Sequence, residues 1–477
     1  MYSPALTILH VNTFDRWGGA ESIARSLVSA SNDRGHQAYL AVGRNVANDP
    51  SMLPVAHEDG LWGRIWAGLS EHLRWLDRFA AGDDDRRKSG IRTLVERIGQ
   101  PGRIVDELRG IESFRFPGTY RLLELSPRPP DIIHAHNLHG GYFDLRALPW
   151  LSQRVPVVLT LHDSWLTTGH CSQPFACERW RTGCGQCPDL TIYPSIHRDS
   201  TASNWARKQA IYEQAHVFVA TPSEWLLDRV RQSILGPAIV DARVIPNGVD
   251  LAVFRPGDKK ASRRELGIPH ASSVLLFVAS GISTNPFKAY DVLRSAVAMA
   301  AERLSGANVL LIALGESRPT ETVGRAKIWF VPFEADQGRV ARYYQAADLH
   351  IHAAHAETFP TAVIEAQACG VPVVATATGG TSEQIRCLGG GRPASEATGV
   401  LVEKGDADAM ATAIVALLGD SLLLRELSRN AVQHAKESFD RERQIEAYLD
   451  WYKQILAPDS TPPQGTGFET GSGSWRG

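Results

Sequence analysis

The chain has 477 residues, a formal net charge of -2, 43% hydrophobic and 21% charged residues, and six cysteines. That length exceeds one ordinary core and predicts two or three domains of a globular protein. The even charge balance argues against a nucleic-acid partner held by a basic excess, and no apolar run approaches the roughly 20 residues of a spanning helix.

The start, "MYSPALTILHVN", lacks the basic opening and long apolar centre of a secretion signal, and its "LTILHV" reads as a buried strand. A cytoplasmic location follows as an expectation, and in a reducing compartment stable disulfides are uncommon. The first half then repeats one theme. "LTILHVN" leads through "TFDRWGGA" into the helical "ESIARSLVSASNDRG", then "HQAYLAVG". "DIIHAHN", "PVVLTLHD" and "HVFVATPS" follow with helical stretches between them. Strands alternating with helices predict a parallel sheet covered on both faces. The second half restarts the theme with "SVLLFVAS", "NVLLIALG", "AKIWFVPF", "LHIHAA" and "PVVATATG". The fold class expected is therefore α/β, two doubly wound Rossmann-like domains facing a central cleft near the carboxyl ends of their strands.

The boundaries follow from the punctuation. Residues 1–250 form the first domain, ending in the Pro- and Gly-marked "ARVIPNGVDLAVFRPGDKK", and residues 251–439 form the second. A helix over 440–457 would return to the first domain, and the Pro-, Gly- and Ser-rich tail 458–477 is expected to be disordered. Residues 61–125 read as a helical insert. In it Leu61, Trp62, Ile65, Trp66, Leu69, Leu73, Leu76 and Phe79 share one face at helical spacing. Packing on its own domain explains that face; contact with a membrane or a lipid-linked acceptor is the alternative.

Two segments carry the first chemistry. In "WGGAE", Gly18 and Gly19 lie between a strand and a helix N-terminus, where backbone amides can face an anion. In "HAETFPTAVIEAQACGVPVVATATGG", Glu357 and Glu365 stand eight residues apart around "TFPT". Pro360 suits a first turn, so the free amides across Thr358, Phe359, Pro360 and Thr361 would point at a phosphate. Glu365 could accept from a ribose diol, and Glu357 could hold sugar hydroxyls.

The second segment resembles the E-x7-E signature of retaining GT-B glycosyltransferases, specifically the glycosyltransferase 4 family (group 1). "GGAE", "VIPNGVDLAVFRP", "YYQAADLHIHAAHAETFP" and "EAQACGVPVVATATGGTSEQI" extend the likeness along most of the chain. The resemblance implies an acceptor-binding first domain and a second domain that binds a nucleotide sugar. It also implies transfer with retention and no catalytic metal, since cations and helix N-termini hold the leaving diphosphate. No carboxylate pair suited to double displacement stands out, which fits a same-face displacement in which the leaving phosphate takes the acceptor proton. Lys288 in "NPFKAYDVL" matches the family lysine that meets the diphosphate. The partner arginine is missing at or beside Ile282, and Ala289 replaces the usual glycine; Arg255, Arg318 and Arg16 are the cations that could compensate.

His162 matches a family histidine beside the reacting sugar, with Asp163 to orient it or act on the acceptor. His136 and Asn137 take a second cleft-lining position at a strand end, while His134 and His139 read as structural. Gly315, with Glu316, and Phe333 fall where a nucleobase would lie. The loop 169–190 contains "GHCSQPFACERWRTGCGQC", with Cys171, Cys177, Cys184 and Cys187 spaced C-x5-C-x6-C-x2-C. A structural zinc, buried free thiols and disulfides are the three readings; only Cys184 and Cys187 have a zinc-knuckle separation.

Together these predict a retaining glycosyltransferase moving a sugar from a UDP- or GDP-linked donor to a glycan or lipid-linked glycan, in bacterial exopolysaccharide or lipopolysaccharide assembly, with peripheral contact at the cytoplasmic membrane face. A non-catalytic GT-B protein that binds a nucleotide sugar or glycan is the rival reading.

Overall fold

The computed structural model describes residues 5–16, 18–46, 49–55, 100–304 and 306–457. The apolar face at 61–79 and the tail 458–477 lie outside the described residues. The first sheet contains β1 (Thr7–Phe14), β2 (Gln37–Arg44), β3 (Leu53–Pro54), β4 (Ile132–Ala135), β5 (Val157–Thr160), β6 (Val217–Thr221) and β7 (Ile239–Val244). Its order is β3-β2-β1-β4-β5-β6-β7, and every pairing is parallel. The second contains β8 (Ser272–Val278), β9 (Asn308–Leu314), β10 (Glu321–Val323), β11 (Ala326–Val331), β12 (Leu349–His352), β13 (Val373–Thr376) and β14 (Gly399–Val402). Its order is β10-β11-β9-β8-β12-β13-β14, antiparallel only at the β10 edge.

The apolar runs explain the layers. Leu9 and Val11 face one core with Ile133 and Leu159, while Ile8 faces the opposite one with Ile132 and Val158. Strands buried on both faces need covering helices on both. One cover of the first sheet comes from the far end of the chain. The helix Arg441–Ile455 packs Ile445, Tyr448, Leu449 and Trp451 into the Ile8 layer. The chain crosses between domains at Val249, whose N–H donates to Phe439 O at 2.8 Å while Arg441 N–H donates to Val249 O at 3.1 Å. Each sheet reverses its winding at one point, β1/β4 in the first and β8/β12 in the second, and the loops beyond those strand ends face one another.

Candidate active site

A cleft of about 1220 Å³ lies between the domains. Two helix N-termini meet across it. The helices at Glu224, Gln337 and Arg441 are capped by Ser223, Asp336 and Asp440. The helices Gly19–Asp33 and Thr361–Ala368 instead start from Gly18 and Pro360 with no side-chain cap. Their first amides are left for a ligand. A Cβ on Gly19 would stand 3.8 Å from Thr361 Cγ2, so the two termini abut. Pro360 has no N–H, so the amides on offer belong to Thr358, Phe359, Thr361 and the residues after it.

On the side of the second domain Lys288 and Glu357 form an ion pair, each side chain 14% exposed. His352 Nε2 donates to the same Glu357 oxygen at 3.2 Å. Burial alone would push the Glu357 carboxyl up, but the Lys288 charge and the His352 hydrogen bond hold it down to about 2. Gly379 makes this loop fit. It sits at φ 54, and a Cβ there would come within 1.8 Å of the Glu357 carbonyl oxygen. Glu365 lies in the second turn of its helix, accepts from Tyr344 Oη at 2.9 Å, and has its pKa raised by burial. Gly315 and the half-exposed Phe333 line the cleft beyond. Glu316 is absent from that lining; it accepts from Ser283 N–H at 2.7 Å.

On the facing side His162, Asp163 and Asn137 line the cleft. His136 does not. It is buried behind His162, with Nδ1 3.2 Å from His162 Nε2 and Nε2 3.2 Å from His10 Nδ1. The strand register puts these imidazoles in a row across β1, β4 and the end of β5. Burial lowers His162 to about 4 and His10 to about 3, and holds His134 and His136 well below the usual range, so the row is neutral at pH 7. His139, read from sequence as structural, does line the cleft, where its Nε2 pairs with Asp163 at 2.8 Å. Burial pushes the Asp163 carboxyl up, yet His139 brings it below its ordinary value.

Among the described residues, His10, His134 and His136 are the three metal-type donors within 4.8 Å of one another. Both ring nitrogens of His134 are already engaged, by Tyr452 Oη and by Thr160 Oγ1 at 2.6 Å, and His10 and His136 bond each other, so each member of the trio is held in hydrogen bonds. Cys171, Cys177, Cys184 and Cys187 are free thiols around one small cavity with His170, at wider spacing than that trio.

Two family profiles match the chain: Glycosyltransferase Family 4 over residues 17–253 and Glycosyl transferases group 1 over residues 272–420. A D-inositol 3-phosphate glycosyltransferase of Thermobispora bispora is 30% identical over 384 residues, 76% of this chain and 78% of the relative. The chain belongs to glycosyltransferase family 4, group 1. A glycosyl transferase assigned to colanic acid biosynthesis, WcaC of Escherichia coli, is 26% identical over 337 residues, 68% of this chain and 77% of its own. The fold is that of Anabaena HepE, solved with UDP-glucose: TM-score 0.58 at 16% identity, over 94% of this chain and all of that one.

The family arginine is not merely displaced in this glycosyltransferase. Ile282 is fully buried in the core around β8 and supplies no cation to the cleft. Of the three compensating cations, only Arg16 lines the cleft. Arg318 lies over the Phe330 ring at 4.9 Å, and Arg255 is absent from the lining. His352 and Gln173 line the cleft too, and sequence reading passed over both. His352 had a signal, a polar residue closing the buried strand "LHIH"; Gln173 had none.

Proposed function

We propose that this chain is a retaining glycosyltransferase that moves a sugar from a UDP- or GDP-linked donor to a glycan or lipid-linked glycan. The observation that carries the reading is the Lys288–Glu357 pair beside the uncapped N-terminus of Thr361–Ala368, faced across one cleft by His162 and Asp163. The diphosphate takes the Lys288 ammonium and the amides at Thr358–Thr361, with Arg16 as the nearby second cation. Glu365 accepts from the ribose, Phe333 stacks on the base, and Glu357 holds sugar hydroxyls. Neutral His162 bonds a hydroxyl at the reacting sugar. The leaving phosphate takes the acceptor proton, so positive potential at the diphosphate supplies most of the acceleration.

We read the acceptor as a bacterial surface polysaccharide or its lipid-linked precursor, glycosylated at the cytoplasmic membrane face; likeness to WcaC supports the polysaccharide part of that reading. Among the described residues no single helix is long and apolar enough to cross a membrane, so contact there would be peripheral. For the cysteine cavity the reading is a structural zinc on the four thiols that share one small space, which would have to draw together to ligate it, since they stand at wider spacing than the histidine trio. Elemental analysis of untagged, reduced protein tests it, and less than one zinc per chain in every preparation overturns it.

The transferase reading is tested with panels of UDP- and GDP-sugars and a membrane extract. Wild type is expected to release nucleoside diphosphate well above a Glu357→Ala control. The buried Ile282 favours the rival, a binding protein without turnover, and equal release from both proteins throughout the panel would select it.

A further inference from the structure

Residues 168–200 run from the end of the acceptor-side "LHDSW" turn with a 3-10 turn at Arg179–Arg181 as their only regular element. So long an irregular loop in a compact domain is ordinarily functional and needs internal anchors. Its anchors are buried. The fully buried Lys208 ammonium donates to the carbonyls of Trp165 and Thr168 at 2.9 and 3.0 Å and pairs with Glu112 at 2.8 Å. Trp180 is also buried, between the guanidinium groups of Arg181 and Arg229 at 4.9 and 4.6 Å.

The tip of this anchored loop leaves its own domain. Gln173 Nε2 donates to Thr358 Oγ1 at 2.9 Å. The Phe175 ring lies on Phe287 at 5.8 Å between centroids and 27° between planes, and Lys404 Nζ stands 5.5 Å above its centroid. Phe175 adopts φ 49, a left-handed conformation that costs a non-glycine residue and persists only where its surroundings enforce it. The two residues touched, Thr358 and Phe287, are the chain neighbours of Glu357 and Lys288. One loop of the acceptor domain therefore grips both sides of the ion pair in the donor domain.

We propose that Gln173 and Phe175 are positioning residues, a clasp that sets the acceptor domain on the donor loops in the closed arrangement needed for transfer. The proposal rests on the transferase reading. The clasp touches no group assigned to the donor's phosphates except through Thr358, so its loss lowers the rate of transfer more than the affinity for the donor. A hydrogen bond and a ring pair of this kind are each worth about fivefold to tenfold.

Gln173→Ala and Phe175→Ala, alone and together, are compared with wild type using the donor that turns over in the panel above. Each is expected to lower kcat about fivefold or more while the donor KM stays within about twofold and the melting temperature is unchanged. Phe175→Tyr, which keeps the ring, restores the rate. In a double-mutant cycle Gln173→Ala and Thr358→Val should be strongly non-additive, which a loop acting only through fold stability would not produce. Small-angle scattering of the ligand-free double variant should give a larger radius of gyration than wild type. A double variant with wild-type kcat and an additive cycle overturns the clasp. Wild type without turnover on any donor overturns the transferase reading instead, and then an unchanged radius of gyration overturns the clasp as a domain contact.

Discussion

Lys288 and Glu357 show how two charges are held together in a cleft wall. Each is mostly buried, and each is tolerated because the other is there. Lys288→Ala leaves the buried Glu357 carboxylate with only the His352 hydrogen bond and, on the proposed function, removes the cation at the diphosphate. We expect nucleoside diphosphate release to fall about 100-fold to 1000-fold, measured against Lys288→Arg, which keeps the charge with a different geometry. The neutral imidazole row makes a second prediction. His162 and His10 titrate at about 4 and about 3 when folded, below the ordinary 6.5. As pH falls below about 6.5 the unfolded chain takes protons that the folded one refuses, so stability falls. Glu357, held at about 2, adds a loss as pH drops from about 4.5 toward 2. The urea midpoint should decline steadily from pH 7 to pH 4, and His162→Gln should flatten part of the slope; a level midpoint across that range contradicts the burial.

At the scale of elements, the Glu357 loop is shaped by what backs it. Gly379→Ala must place a Cβ against the Glu357 carbonyl from a left-handed backbone, so we expect a loss of more than about 2 kcal/mol and activity reduced beyond that. Gly405 has φ 84 with nothing within 4 Å of its Cβ, so Gly405→Ala is the control and should cost only about 1 kcal/mol. Calorimetric melting together with turnover separates the two. The uncapped helix starts at Gly18 and Pro360 were legible as motifs, because glycine and proline at those places have few other uses. That they abut was not legible, since more than 300 residues separate them and only the cleft brings them together.

At the scale of the whole molecule, the two domains are tied at several points. The helix Arg441–Ile455 belongs by packing to the first domain and by connection to the second. Glu383 caps the helix Glu224–Arg231 from across the boundary, accepting from the Glu224 and Trp225 amides at 2.8 and 2.7 Å. Tyr452 Oη bonds His134 beneath the imidazole row, so the helix Arg441–Ile455 supports the first domain's side of the cleft. Tyr452→Phe should cost about 1–3 kcal/mol in urea melts by leaving a buried imidazole nitrogen unpaired. A chain ending at Asp440 uncovers the Ile8 layer and is expected to be insoluble, as a solubility assay of the truncated protein would show.

The sequence by itself determined the parallel strands of the two sheets, though not the antiparallel β10 edge, because strands buried on both faces must be written as continuous apolar runs. It also determined the loop from Glu357 to Thr361, because an uncapped helix start between two glutamates is a local pattern. Tertiary structure alone decided which side chains face the cleft. His136 and His139 lie three residues apart after one strand, yet the first is buried behind His162 while the second reaches Asp163. The surroundings of Ile282 were decided the same way: its side chain lies in the core and not in the cleft. The reach of Gln173 and Phe175 across the cleft was settled last. A contact between domains depends on where two separately folded loops end in space, and neither loop encodes the position of the other.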